Sequence, residues 1–301
     1  MGWRRTGGEV PVLLAALLWG TVGPAQLLSG TTASPVSVGA CRMLLGGLLL
    51  ALFTVRGAGL RTLWAPGVRR LMLLSILVTA AFQACFLEAV DRCGAALATA
   101  VAFGTVPAVS GWCAHRTTGE RPGRSWWWGT ACAVGGIALL LVPGRTVRAD
   151  VPGVLLGIVA GASFGVYIAL TGRLARRGAD TAAAAPMSVL CAGVLVSPWI
   201  AAAPGGLASP RTLVLVCWLG IGTTALGYWL FTSGVGRIDA ATAGTLSLAE
   251  PLVATVLGVA LLGERPPAPA VCGAALLLTG LVVVSVTPGR RSARGPLAQR
   301  S

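Results

Sequence analysis

The phrase Gly-Glu-Arg-Pro closes two long apolar runs in this chain, at Gly119–Pro122 and, 144 residues later, at Gly263–Pro266. At the same offset Pro107 matches Pro251, Gly129 matches Gly273, and Gly136 matches Gly280. The chain therefore holds two copies of one unit, and its fold must suit both. The second run, Ala240–Gly263, has 24 residues. At about 1.5 Å of rise per residue that is enough to cross a bilayer core of about 30 Å. Matched, proline-interrupted hydrophobic segments in two halves point to a secondary carrier with its site near the midplane.

Similar runs fill the remainder of the sequence. Of 301 residues, 55% are hydrophobic and 11% charged, against about 25% charged in soluble proteins. The expected class is an all-α polytopic membrane protein; a transmembrane barrel would show short alternating strands. The expected spans are Val10–Ser29, Val36–Val55, Val68–Val90, Cys93–Cys113, Ser125–Val142, Val151–Gly172, Ala182–Ala201, Thr212–Val235, Ala240–Gly263 and Ala268–Val286.

Arginine tests that count. All 23 basic residues are arginine, and with the N-terminus inside, 17 fall in inner segments and five in outer loops, with Arg42 inside the second span. The bias supports ten transmembrane helices with both termini cytoplasmic. Five spans per copy is an odd number, so the two copies are expected to be inverted five-helix repeats. The expected divisions are a first repeat over residues 8–144, a linker at 145–149, a second repeat over 150–288 and a basic cytoplasmic tail at 289–301. The first apolar run follows Arg4 and Arg5 as in a signal peptide, but with nine spans after it an uncleaved helix is expected.

Composition also excludes functions. Without lysine there is no Walker P-loop and no Schiff-base lysine. The pI near 11.2 comes from arginines in short loops and the tail, so nucleic acid is not an expected partner. The eight cysteines are scattered through apolar runs without a CxxC pair, which argues against a disulfide framework and a metal site. No cofactor is expected.

Several segments resemble the drug/metabolite transporter superfamily, in particular its EamA-domain members. They are Leu18-Trp19-Gly20, Cys41-Arg42-Met43-Leu44-Leu45, Gly227-Tyr228-Trp229, Leu248-Ala249-Glu250-Pro251, Leu262-Gly263-Glu264-Arg265 and the Gly273–Gly280 stretch. The resemblance implies one EamA domain per repeat, in a bacterial cytoplasmic (inner) membrane. It implies export or exchange of small metabolites, amino acids or related compounds among them, or of drugs. It also implies a cavity lined by spans 1, 3, 4, 6, 8 and 9. The copies differ at one point: Val106 stands where the second has Glu250, so a coupling carboxylate would be one-sided.

Polar groups at membrane depth are the candidate sites. Glu250 reads as a substrate contact or proton relay, because a proton removes the cost of burying its charge, or as a structural hydrogen bond beside a kink. Ser247, one turn earlier, is placed to bond it. Arg42 and Glu88 share an inferred depth and are expected to form an intramembrane ion pair, either a structural pin between spans 2 and 3 or an outer gate. Trp19, Gln26, Gln83, Tyr167, Tyr228 and Trp229 suit recognition of a small polar-headed ligand, or core packing and the interfacial belt. Pro107 and Pro251 are candidate hinges, since proline frees a carbonyl one turn earlier. Trp126-Trp127-Trp128 reads as belt, and Gly153, Gly157, Gly161 and Gly165 as a close-packing ridge on which the halves could rock.

Two motifs mislead. Gly161–Gly165 matches GxSxG within a helical run, and Gly220–Ala225 matches GxGxxA without a βαβ setting. The single histidine, His115, is expected in a loop beside Arg116. Rival readings are an intramembrane enzyme, which lacks a nucleophile–base pair, and a non-transporting sensor or assembly subunit; neither accounts for an inverted repeat.

Overall fold

In a computed structural model, residues 7–93, 95–118, 123–141, 150–262 and 267–286 are helices and the turns between them. Both Gly-Glu-Arg-Pro phrases, the linker and the tail lie outside the described residues. No strand occurs among the described residues. The helices of the first copy are α1 (Glu9–Gly20), α2 (Val22–Ser29), α3 (Pro35–Thr54), α4 (Gly57–Leu63), α5 (Arg69–Cys93), α6 (Ala95–Thr118) and α7 (Arg124–Leu141). Those of the second are α8 (Val151–Arg176), α9 (Thr181–Val196), α10 (Pro198–Ala202), α11 (Pro210–Trp218), α12 (Gly227–Val235), α13 (Ala240–Leu246), α14 (Ala249–Leu262) and α15 (Ala268–Val286). A π-helical segment, Leu219–Leu226, joins α11 to α12.

Local chemistry sets several starts. Asp150 accepts from the Gly153 N–H at 3.1 Å, and Asp239 from the Thr242 N–H at 2.8 Å. Such caps satisfy amides that the first turn leaves open. Prolines occupy the first turns of α3, α8, α10 and α11, where no N–H is needed.

Eight helices, taking α1–α2, α9–α10, α11–α12 and α13–α14 each as one span, are long and apolar enough to cross a bilayer. The other two expected spans are α7, whose 18 residues start with Arg124, Ser125 and three tryptophans, and α15, of which Ala268–Val284 is a shorter apolar helix. Four expected spans are thus broken rather than continuous, at Thr21, Ser197, the π-helical segment and Ser247-Leu248. His115 belongs to the last turn of α6 rather than to a loop.

Glycine contacts give the helix directions. A Cβ on Gly129 would lie 2.9 Å from the Gly280 carbonyl oxygen, and one on Gly136 would lie 2.6 Å from that of Gly273. The numbers rise on α7 as they fall on α15, so the two helices cross antiparallel. At the 144-residue offset Gly129 corresponds to Gly273 and Gly136 to Gly280. Each contact is therefore the other with the copies exchanged. Likewise a Cβ on Gly47 would meet Leu190, and one on Gly193 would meet Met43 and Leu44, so α3 and α9 are antiparallel. By contrast Gly157, Gly161 and Gly165 meet Val101, Ala102 and Val106 in turn, making α8 parallel to α6. The small-residue ridge thus lies between the two halves, where it lets backbones approach closely.

Other contacts also interleave the halves. The helix α5 packs on α8, and α1 packs on α12 and α14. At one end of the bundle Thr54 donates to the Ala182 carbonyl at 2.6 Å and Arg177 to the Gly67 carbonyl at 2.8 Å. At the other, Ser37 donates to the Ala203 carbonyl at 2.8 Å and Trp218 to the Thr21 hydroxyl at 3.2 Å. The main core lies between these ends and draws on α1, α6, α8, α12 and α13.

Candidate functional site

Arg42 projects from the middle of α3 into the bundle. Its neighbours Gly39 and Gly46 bring α3 close to two other helices. A Cβ on Gly39 would sit 2.5 Å from the Gln83 amide nitrogen, and one on Gly46 2.5 Å from the Gly220 carbonyl. Arg42 Nη2 donates to Gln83 Oε1 at 3.3 Å, and Gln83 is buried. Two further groups lie within electrostatic reach of the guanidinium, Tyr228 on α12 and Glu250 on α14. Glu250 in turn feels Arg42, and Tyr228 feels both charges. No carboxylate oxygen comes within 4.0 Å of Arg42 among the described residues. The two charges thus compensate each other across a gap instead of closing an ion pair.

The expected pair of Arg42 with Glu88 does not form. Glu88 binds Arg92 one turn along α5, at 2.7 Å, and both side chains are about half exposed. Arg92 also approaches Asp150 at the start of the second copy, at 3.7 Å. Depth explains the difference. Gly39 already lies level with Gln83 and Leu87, and α3 runs opposite to α5, so Arg42 sits more than a turn deeper than Glu88.

The π-helical segment forms the wall between α1 and α3. Thr223 and Thr224 both turn their hydroxyls back onto the Leu219 carbonyl, at 2.7 and 2.9 Å. The widened turn leaves the Thr223 carbonyl to the Trp19 indole N–H, which donates to it at 2.8 Å. Single π turns recur at functional sites because they free a carbonyl in this way. The same segment contains Gly220–Ala225, so that GxGxxA match is a helix-packing feature. The GxSxG match lies within the unbroken α8, where Gly161 and Gly165 pack on α6.

Aromatic side chains complete the site. Trp19 meets Tyr228 edge-on at 5.5 Å between ring centroids and Phe231 at 5.1 Å. Tyr167 stacks on Phe164 at 6.2 Å and meets Tyr228 edge-on at 6.0 Å. Phe82, Phe86 and Phe103 extend the cluster onto α5 and α6. Five of the chain's six phenylalanines and both tyrosines are gathered here. Each such pair adds about 0.5–1.5 kcal/mol beyond its buried area. Trp229 is not among them: at 48% exposure it faces outward from α12, because adjacent helix positions point about 100° apart. Gln26 lies on α2, where its backbone carbonyl accepts from the Ser29 hydroxyl at 2.7 Å. Of the three consecutive tryptophans, Trp127 and Trp128 are exposed as a belt requires, and Trp126 is buried against Gly111.

Glu250 opens α14, immediately after a break. Pro251 has no N–H to offer the Ser247 carbonyl, which accepts instead from the Glu250 N–H at 3.1 Å. The Ser247 hydroxyl does not reach Glu250; it donates to the Gly244 carbonyl at 2.8 Å. Pro107 acts differently, since α6 passes through it unbroken. No group of three potential metal ligands converges among the described residues.

The fold and site define a polytopic membrane protein with a polar, aromatic-walled centre shared between two interleaved halves. The chain belongs to the EamA-like transporter family, whose model matches residues 6–142 and 151–286. It is a membrane transporter. It is 35% identical over 283 residues to the "uncharacterized transporter YwfM" of Bacillus subtilis (strain 168), covering 93% of this chain and 94% of that one. It is 28% identical over 303 residues to the "uncharacterized inner membrane transporter YicL" of Salmonella typhimurium, with 97% and 99% covered. A solved crystal structure shares the fold with a TM-score of 0.80 at 24% identity, over 93% of this chain and 98% of that one.

Proposed function

We propose that the chain is a secondary carrier that exports a small metabolite, an amino acid or related compound, across a bacterial inner membrane by alternating access. One observation carries the reading: Arg42 of the first copy, Glu250 of the second and Tyr228 lie within electrostatic reach of one another, with no salt bridge between the two charged groups. Opposite charges held apart in an aromatic-walled site suit a small ligand with polar head groups. The carrier would have ten spans as two inverted repeats with both termini cytoplasmic. The exchange-symmetric contacts of α7 with α15, and the antiparallel crossing of α3 with α9, support that arrangement. Glu250 would take up and release the coupling proton, and Gln83, Trp19, Tyr167 and Tyr228 would line the route.

The test is a comparison of export. Cells expressing the chain, Arg42→Gln or Glu250→Gln would be followed by mass spectrometry of the medium. A metabolite that accumulates with the native chain and falls at least tenfold with both variants, at equal membrane abundance, supports the site. Unchanged export by both variants would move the site elsewhere.

A further inference from the structure

We infer that the bundle holds one structural water between Tyr167 and a ring of hydroxyls on the side of the aromatic cluster away from Arg42. The inference stands on the fold alone and not on the function proposed above. Tyr167 is 2% exposed, and its hydroxyl lies near that of Thr171 but makes no well-formed hydrogen bond to another protein group. Leaving such a group unpaired costs about 1–3 kcal/mol. The phenol lines a cavity of about 10 Å³ whose other polar walls are Ser75, Thr171, Ser188, Thr232 and Thr181. That is about the room one water needs.

The donor count identifies the guest. Thr171 gives its proton to the Tyr167 carbonyl at 3.0 Å, and Thr232 to the Tyr228 carbonyl at 2.7 Å. Ser188 shares its own between the Ala184 carbonyl at 2.9 Å and Ser75 at 3.1 Å. Three of these hydroxyls are committed as donors to their surroundings and turn lone pairs to the cavity. Tyr167 is a free donor. A water accepts from Tyr167 and donates to two of the ring oxygens, which satisfies the buried phenol. A cavity with room for about one water admits no carboxylate, and an apolar group would leave Tyr167 unpaired. The site lies between the tyrosine pair and the α8–α9 turn at Gly178. Water held there stands one aromatic ring from Tyr228, and Tyr228 faces Glu250.

The chain contains two tyrosines, so the test needs no substrate. Full-length protein with 13C at the tyrosine Cζ, in lipid nanodiscs, should give two signals, and Tyr167→Phe identifies which belongs to Tyr167. The expected result is a water cross peak at the Tyr167 hydroxyl. The combined change Ser75→Ala and Ser188→Ala should abolish it, while the Tyr228 signal, to which neither serine bonds, stays in place as a check on folding. A Tyr167 hydroxyl that shows no exchange with water would overturn the inference. So would a cross peak that survives the double change, or a Tyr167 signal that moves when sodium is replaced by choline, since the last would mean a bound cation.

Discussion

Arg42 and Glu250 come from opposite copies of the repeat, and each lies within electrostatic reach of the other although no salt bridge joins them. The guanidinium spends one bond on Gln83. Every rearrangement of α3 against α14 must change the work of holding these two charges in a low-dielectric interior.

Their coupling is measurable. Arg42→Gln and Glu250→Gln should each lower the melting temperature in detergent, and the double variant should cost less than the two combined, by about 0.5–3 kcal/mol. Arg42→Gln with Glu88→Gln should be additive, because Glu88 is already held by Arg92. Additivity in the first cycle, or coupling in the second, would return Arg42 to Glu88.

Glu250→Gln keeps the side chain's shape and removes its charge. If the carboxyl carries the proton, reconstituted protein should still exchange the metabolite identified in the export screen but lose acceleration by a pH gradient, by about tenfold or more. Full gradient-driven flux in a well-folded Gln variant would remove Glu250 from coupling.

Helix packing gives a contrast between neighbours. A Cβ on Gly135 would make ordinary contact with Leu276 at 3.6 Å, whereas one on Gly136 would sit 2.5 Å from the Leu277 amide nitrogen. Gly136→Ala should therefore destabilise by about 1–3 kcal/mol, and Gly135→Ala should be close to neutral. Equal melting temperatures for the two would show that α7 and α15 do not pack as described.

Trp19→Phe removes the bond to the Thr223 carbonyl, a loss of about 0.6–2 kcal/mol inside a membrane. Trp229→Phe, on the outward face, should change stability by less than about 0.5 kcal/mol. A reversed order, measured by thermal melting of both variants, would contradict the inward placement of Trp19.

Topology can be read with thiol reagents in a cysteine-depleted background. Arg177 touches Gly67, so Ala65→Cys and Arg177→Cys should behave alike, both shielded from an impermeant reagent added outside. Ser34→Cys and Ala208→Cys, beside the contacts of Ser37 and Gly206, should both be labelled. A split within either pair would break the proposed orientation.

The helical class and the family were legible in the sequence because a bilayer demands long apolar runs and repeats them visibly. The expected tenth span, Ala268–Val286, coincides with α15. Charge pairing was less legible. Arg42 and Glu88 share an inferred depth in a linear reading, yet a salt bridge one turn away on α5 satisfies Glu88 first, and depth alone says nothing about which helix faces which. Glycines carried that information: Gly39 and Gly46 flank Arg42 and bring it against α5 and the π-helical segment. Trp229 was grouped with Tyr228 by adjacency, which a helix turns into opposed directions. The aromatic centre had a signal in its spacing, with Phe82 and Phe86, Phe164 and Tyr167, and Tyr228 and Phe231 each one turn apart.

Pro107 sits in an unbroken helix, while its counterpart Pro251 follows a break at Ser247-Leu248. Two inverted copies of one rigid part would give end states of equal energy, and a carrier so built would rest facing either side alike. A joint at Ser247-Leu248 without a counterpart in α6 would remove that degeneracy. A push along the strut through Pro107 would pass along its whole length, whereas the jointed rod would let α14 swing separately from α13. Both prolines lack an amide hydrogen, so whatever separates the strut from the jointed rod lies in the residues around them.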